Sequence, residues 1–345
     1  MDSISLTRPD DFHLHLRDTA ALSSVIGDTA RQFARAIVMP NLKPPITTVA
    51  QAEAYRQRII GCLPKDNDFQ PLMTLYLTDN TSTDEISRSA EHAHIYAVKY
   101  YPAGATTNSD MGVTSLEKVY PILERMSELS LPLLMHGEVT DSSVDIFDRE
   151  RVFIERVLEP LMRRFVDLRI VFEHITTKDA ADYVQKGPDN LAATITPQHL
   201  IYNRNAIFQF GIRPHNYCLP VLKRELHRQA LLDVIASGHP RFFLGTDSAP
   251  HARGDKENSC GCAGVYSAHN ALELYATVFD ELGKLDKLEA FSSQYGADFY
   301  GLERNTGQVT LEKTDWTVPT SLAFADSEIV PFKAGEICPW KMVSS

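Results

Sequence analysis

The sequence has no long apolar run. None of its hydrophobic stretches approaches the ~20 residues that a membrane-spanning helix needs, so no membrane span is expected. It also lacks an excess of positive charge: 45 acidic residues against 34 basic ones leave a formal net charge of −11. Phosphate backbones and anionic headgroups repel so acidic a surface, which argues against general binding to nucleic acid or membranes. A small substrate is not restricted in this way, because a local cluster can invert the field inside a pocket. Cysteine is scarce and odd in number, with five in 345 residues. No basic start followed by an apolar run opens the chain. The expectation is a soluble, cytoplasmic protein with reduced thiols and no dependence on disulfides. Internal repeats and low-complexity stretches are also missing.

What is present is ample material for a core, with 43% hydrophobic residues. Short apolar segments alternate with helical ones. The strand candidates are FHLHL, RAIVM, PLMTLYL, IYAVKYY, LPLLMH, LRIVFEH, LAATIT and RFFLGTD. Most are near-continuous apolar runs, as parallel strands covered by helices should be. About eight such strands with helices between them predict a (β/α)8 TIM barrel. Helix signals lie in the intervening text. Ser82 with Glu85, and Thr114 with Glu117, have capping-box spacing. LKRELHRQALLDVIASG predicts a helix stopped by Gly238, and TTVAQAEAYRQRIIGCL another. After about residue 305 the text turns irregular, with Pro319, Pro331 and Pro339. This predicts a C-terminal extension packed on the barrel, and one domain over residues 1–345.

Near the N-terminus, DDFHLHLRD sets His13, His15 and Arg17 at every second position. In a strand these three face one side and Leu14 and Leu16 the other. Read alone, the His pair fits a metal chelate and a hydrogen-bonded pair beside the core equally well. Other strand ends shift the balance: Asn41, Lys99, His136, His174 and Asp247 each close an apolar run. In a barrel these ends converge on the active-site face. Imidazole and carboxylate ligands suit zinc and similar borderline metals. Four His and one Asp exceed the needs of one tetrahedral ion with an open position, and suit two. Two dications would push Lys99 toward its neutral amine, which can take up carbon dioxide as a carbamate.

Taken in order, FHLHLRD, MPNLKPP, VKYYPAGATTNSD, LLMHGE, FEHITT, TPQHLIYNRN, RPHNYCLPVLKRE and GTDSAPH resemble the dihydroorotases. The likeness is to their stand-alone bacterial type within the amidohydrolase superfamily, over about Leu6 to Gly301. It implies two Zn²⁺ per chain. His13, His15 and Asp247 would hold the first, His136 and His174 the second, and a carboxylated Lys99 (N6-carboxylysine) would bridge them. It further implies that Asp247 transfers protons beside a bridging hydroxide. Arg17, Asn41 and His251 would grip the substrate α-carboxylate. Backbone groups of Leu219 and Ala263 would meet the amide edge of the ring, and Thr106 and Thr107 would sit on a closing loop. The implied reaction is reversible cyclisation of N-carbamoyl-L-aspartate to L-dihydroorotate and water, in pyrimidine biosynthesis, by a homodimer.

Two competitors stand beside that expectation. A hydantoinase-like or allantoinase-like enzyme would share the metal cluster, but its substrates lack the carboxylate for Arg17, Asn41 and His251. A catalytically silent scaffold would need none of the ligands. Four further histidines, His92, His94, His227 and His239, are expected as surface or helix residues, and His199 in a supporting role. Cys260 and Cys262 are expected as loop thiols at the rim. Trp316 and Trp340 are expected as packing anchors.

Overall fold

The computed structural model describes residues 2–259 and 261–344, so Cys260 of the CGC pair lies outside the described residues. The chain begins with β1 (Ser3–Thr7) and then enters eight parallel strands. These are β2 (Asp10–Leu14), β3 (Arg35–Val38), β4 (Gln70–Tyr76), β5 (Ile95–Tyr100), β6 (Leu133–His136), β7 (Ile170–Glu173), β8 (Leu191–Ile195) and β9 (Phe242–Leu244). Each neighbours the next in one sheet, in sequence order. Every predicted strand is present, mostly shortened by a residue or more at its ends. The sheet closes between β2 and the turn after β9: His13 O accepts from Asp247 N at 2.9 Å, and His15 N donates to Ser248 O at 3.1 Å. The fold is therefore the predicted (β/α)8 barrel.

Side chains two apart along a strand share a face, and the barrel interior follows that rule. Phe12, Ile37, Leu72, Ala97, Leu134, Val171, Ala192 and Phe243 form one buried inner cluster. Leu14, Leu16, Val38, Val98, Met135 and Phe172 belong to the outer core under the helices. Helix Tyr295–Tyr300 plugs the barrel floor, where a Cβ on Gly296 would come within 2.1 Å of the Phe12 ring.

The helices show how sequence signals and packing divide the work. Helix Glu225–Ser237 ends on Gly238, whose φ of 70° is the left-handed conformation glycine allows. Ser82 caps helix Thr83–Glu91 by accepting from Glu85 N at 3.2 Å. The reciprocal bond is missing, because the Glu85 carboxylate accepts from Val49 N instead. The Thr114–Glu117 expectation is corrected. Thr114 turns to Asp79, accepting no helix N–H, and Ser115 is the residue before the short helical turn Leu116–Val119. A complete capping box exists at Thr48 and Gln51, ahead of helix Val49–Gly61.

Past the barrel, β10 (Gln308–Glu312), β11 (Trp316–Thr317), β12 (Leu322–Phe324), β13 (Ser327–Ile329), β14 (Ile337–Cys338) and β15 (Lys341–Ser344) form the extension. β10 pairs antiparallel with both β1 and β15, so the chain's two ends share a three-stranded sheet. Val309, Leu311, Phe324, Ile329 and Trp340 lie in the same buried cluster as the barrel's outer core. Trp340 is fully buried, and its carbonyl accepts from Trp316 Nε1 at 2.7 Å. Among the described residues no helix is long and apolar enough to cross a membrane.

Candidate active site

The inward faces that fill the barrel continue into polar groups at its mouth. Ile37 and Met39 lead to Asn41, Ala97 to Lys99 and Tyr101, and Leu134 to His136 and Glu138. Phe243 leads through Gly245 to Asp247. A Cβ at Gly245 would meet Thr194 Cγ2 at 2.8 Å and His13 Cβ at 3.0 Å, so only glycine lets these strands approach. Arg17, His174 and Asp247 have φ of 61°, 42° and 45°. Three non-glycine residues in this region at one pocket mark strain held by surrounding structure.

His13, His15 and Asp247 are buried, with their ligand atoms all within 4.8 Å of one another. Asp247 Oδ1 lies 3.1 Å from His15 Nε2 and 3.4 Å from His13 Nε2. The outer ring nitrogens are taken: His13 Nδ1 meets Glu173 Oε2 at 2.6 Å, and His15 Nδ1 meets Asn41 Oδ1 at 2.8 Å. An imidazole that donates outward from Nδ1 presents its Nε2 lone pair inward, the arrangement of a metal ligand. The His174 ring lies 4.9 Å from both the His13 and His136 rings. His136 Nε2 is held by Glu138 Oε2 at 2.8 Å, which leaves its other nitrogen free of that bond. Lys99 Nζ is buried with no hydrogen-bond partner among the described residues, 5.1 Å from the Tyr101 ring centroid.

Electrostatics fit the same picture. Burial pulls Lys99 down to about 8, against the pull of Glu173 and Asp247. Burial also lowers His15 to about 4 and drives His174 well below the usual range, so both favour the neutral, ligating form. Burial opposes ionisation of Asp247, but the His13 and His15 rings beside its Oδ1 outweigh it and hold it well below the usual carboxyl range. Burial opposes a charge on His13, but Glu173 outweighs it and raises its pKa above the usual imidazole range. The cluster is thus buried and oriented from behind, with His15 and His174 neutral and Asp247 anionic, a donor set that fits a bound metal cation.

One pocket gathers most predicted residues. His13, His15, Arg17, Asn41, Thr106, Thr107, His136, His174, Leu219, Asp247 and Ala263 all line it. Lys99 is fully buried and does not line it. His251 does not line it either, but its Nε2 lies 2.8 Å from Arg17 Nη2 and 3.1 Å from Ala263 O. Burial and the nearby Arg17 and Lys256 cations lower His251 to about 2, so it is neutral. Arg17 Nε donates to Pro250 O at 2.8 Å, fixing the fork. The loop bearing Thr106 and Thr107 lies against the mouth, with Thr107 Oγ1 donating to Ala263 O at 3.3 Å and Asn41 Nδ2 to Thr107 O at 3.2 Å.

Several contributors escaped sequence reading. Glu173 and Glu138 orient His13 and His136, and Asp11 accepts from Thr246 N at 2.9 Å and His13 N at 3.1 Å. The only signal was an acid beside or two residues from a strand-end histidine. Tyr101, Ala249 and Gly264 also line the pocket. His199 supports it from behind, donating from Nε2 to Pro220 O at 3.0 Å. His92, His94, His227, His239 and Cys262 are half-buried and outside the pocket lining.

Comparison with known proteins agrees. The amidohydrolase family pattern matches residues 10–336. A dihydroorotase of Cupriavidus necator is 63% identical over 338 residues, 98% of each chain. The crystal structure of Saccharomyces cerevisiae dihydroorotase in complex with 5-fluoroorotic acid superposes with a TM-score of 0.92 at 33% identity, covering 99% of both chains. That of the Campylobacter jejuni dihydroorotase gives 0.90 at 37% identity, over 99% of this chain and 97% of that one. A barrel mouth of buried histidines and an aspartate, in a chain with these relatives, places the protein in the amidohydrolase family of hydrolases and, within it, among the dihydroorotases of stand-alone bacterial type.

Proposed function

We propose that the chain catalyses the reversible cyclisation of N-carbamoyl-L-aspartate to L-dihydroorotate and water in pyrimidine biosynthesis, as a homodimer. The observation that carries this reading is the fixed Arg17 fork, which opens into the same pocket as the His13–His15–Asp247 cluster. Arg17 binds the α-carboxylate through its remaining N–H groups, with neutral His251 against its Nη2 and Asn41 at the same wall. Leu219 and Ala263 offer backbone groups to the amide edge of the ring. Thr106 and Thr107 cover the pocket and exclude water.

His13, His15 and Asp247 would hold one zinc ion, and His136 and His174 a second. Lys99, as a neutral amine, would add to carbon dioxide with loss of a proton, and the resulting carbamate would supply a further anionic ligand to the ions. Bound there, the two ions supply Lewis-acid polarisation and water activation near neutral pH. During ring closure an Asp247 carboxylate oxygen takes the proton from the attacking ureido nitrogen as the C–N bond forms. It passes that proton to the substrate's side-chain carboxylate oxygen, whose C–O bond breaks and which leaves, with a second proton from solvent, as water. In the reverse direction it returns that proton to the leaving nitrogen. General acid–base help of this kind is worth ~10²–10⁴-fold in rate.

The test is an absorbance assay of dihydroorotate hydrolysis before chelation, after it, and after zinc is returned. Turnover is expected to vanish and then recover. Full activity in a verified metal-free sample overturns the metal assignment. Hydrolysis of hydantoin or dihydrouracil in place of dihydroorotate overturns the substrate.

A further inference from the structure

Leu219 and Ala263 are read as meeting substrate through their backbones, and a backbone contact cannot be tuned by its own side chain. Its position is set by whatever holds the two chain segments in register. Both segments end on one buried cation. Lys256, only 4% exposed, closes the short helix Arg253–Lys256. Its Nζ donates to Tyr217 O at 2.8 Å, Cys262 O at 2.9 Å and Gly264 O at 2.5 Å. An ammonium has three protons, and here each meets a carbonyl.

The placement of those carbonyls matters. Cys262 and Gly264 flank Ala263 on either side, and Tyr217 lies two residues before Leu219. Gly264 N donates to Tyr217 O at 3.0 Å, so the two segments also touch directly. Ala263 O faces Thr107 of the covering loop and His251 behind Arg17. No carboxylate pairs with Lys256 among the described residues. Burying an unpaired charge is costly. A methionine would fill the same volume without that cost, so packing does not explain a lysine here, whereas three aimed donors do.

We propose that Lys256 is a positioning residue, which sets the spacing of the Leu219 and Ala263 backbone groups and so the fit of the subsite to the amide edge of the substrate. This rests on the substrate reading given above. Lys256 touches no metal ligand, so its effect falls on binding and leaves the reacting centre intact. An interaction made equally in ground and transition states changes KM and spares kcat.

The experiment compares zinc-loaded wild type with Lys256→Met, which removes the donors and nearly keeps the volume. The expected result is a KM for dihydroorotate raised ~10-fold or more, kcat within ~3-fold, and unchanged zinc content. Amide exchange over residues 261–266 is expected to quicken. An unchanged KM in a folded Lys256→Met overturns the proposal, and so does a parallel loss of kcat and zinc. If Lys256→Met does not fold, the same split is read on Lys256→Arg, which keeps the charge but cannot place three N–H groups on one nitrogen. An unchanged KM there is equally fatal. Wild type inactive on dihydroorotate sinks the substrate reading and this inference together, whereas an active wild type beside an unaffected variant sinks this inference alone.

Discussion

At the scale of the residue, the site depends as much on what stands behind each ligand as on the ligands themselves. His13 points its Nε2 into the cluster because Glu173 takes its Nδ1. Glu173 is held in turn by Thr194 Oγ1 at 2.7 Å. Removing the charge of such a partner lowers ligand basicity and typically costs ~10–100-fold in metal affinity. Glu173→Gln is therefore expected to lose zinc to a competing chelator at ~10–100-fold lower chelator activity than wild type. An unchanged competition curve would take Glu173 out of this role. Asn41 has two attachments that its sequence position did not reveal. Its Oδ1 accepts from His15 while its Nδ2 donates to Thr107 O. The amide thus ties a putting-in-place of His15 to the covering loop, beside any contact it makes with substrate.

At the scale of the element, period-two alternation explains why the site was legible. The same face that packs Ala97 and Leu134 inside the barrel delivers Lys99 and His136 to its mouth. Legibility failed where a strand bends. β2 stops at Leu14, so His15 and Arg17 arrive from an irregular segment, and Arg17 has left-handed backbone. The β2–β3 register also shifts between Asp11 and Leu14. Close approach of strands was equally invisible. Gly245→Ala is expected to cost about 1–3 kcal/mol, because its methyl would press on Thr194 and His13. Urea unfolding measures that loss. Zinc retention should fall with it, since Thr194 holds Glu173 and His174 N. A variant as stable as wild type would show that the strands have room to part. Thr114 failed as a cap for a local reason: Asp79 offers its hydroxyl and N–H a stronger, charged acceptor.

At the scale of the whole molecule, the ends of the chain are tied to the barrel's flank. Helix Thr19–Gln32 meets the segment after β9 through Asp28, which accepts from Tyr266 Oη at 2.7 Å and His269 Nδ1 at 3.2 Å. Burial opposes the Asp28 charge, but His269 and Tyr266 outweigh it and hold the carboxyl below its usual range. An acid with a lowered folded pKa stabilises above the ordinary carboxyl value near ~4 and loses that contribution as pH falls through the folded one. Wild type is expected to be more stable than Asp28→Asn near neutral pH, with the gap closing as pH falls below ~4. Denaturant unfolding over a pH series checks this, and a gap constant down to strong acid would contradict it.

The sequence by itself determined the barrel, the residues at its mouth and the family. Strand runs, their polar ends and the order of the motifs are local or linear properties, carried by alternation and composition. Only the tertiary structure decided which groups stand behind them. Glu173 reaches His13 across 160 positions, Asp11 reaches Thr246 across 235, and Lys256 joins Tyr217 to Gly264. Such pairs have no spacing to read, because they exist only once the sheet has closed between β2 and β9 and buried them together.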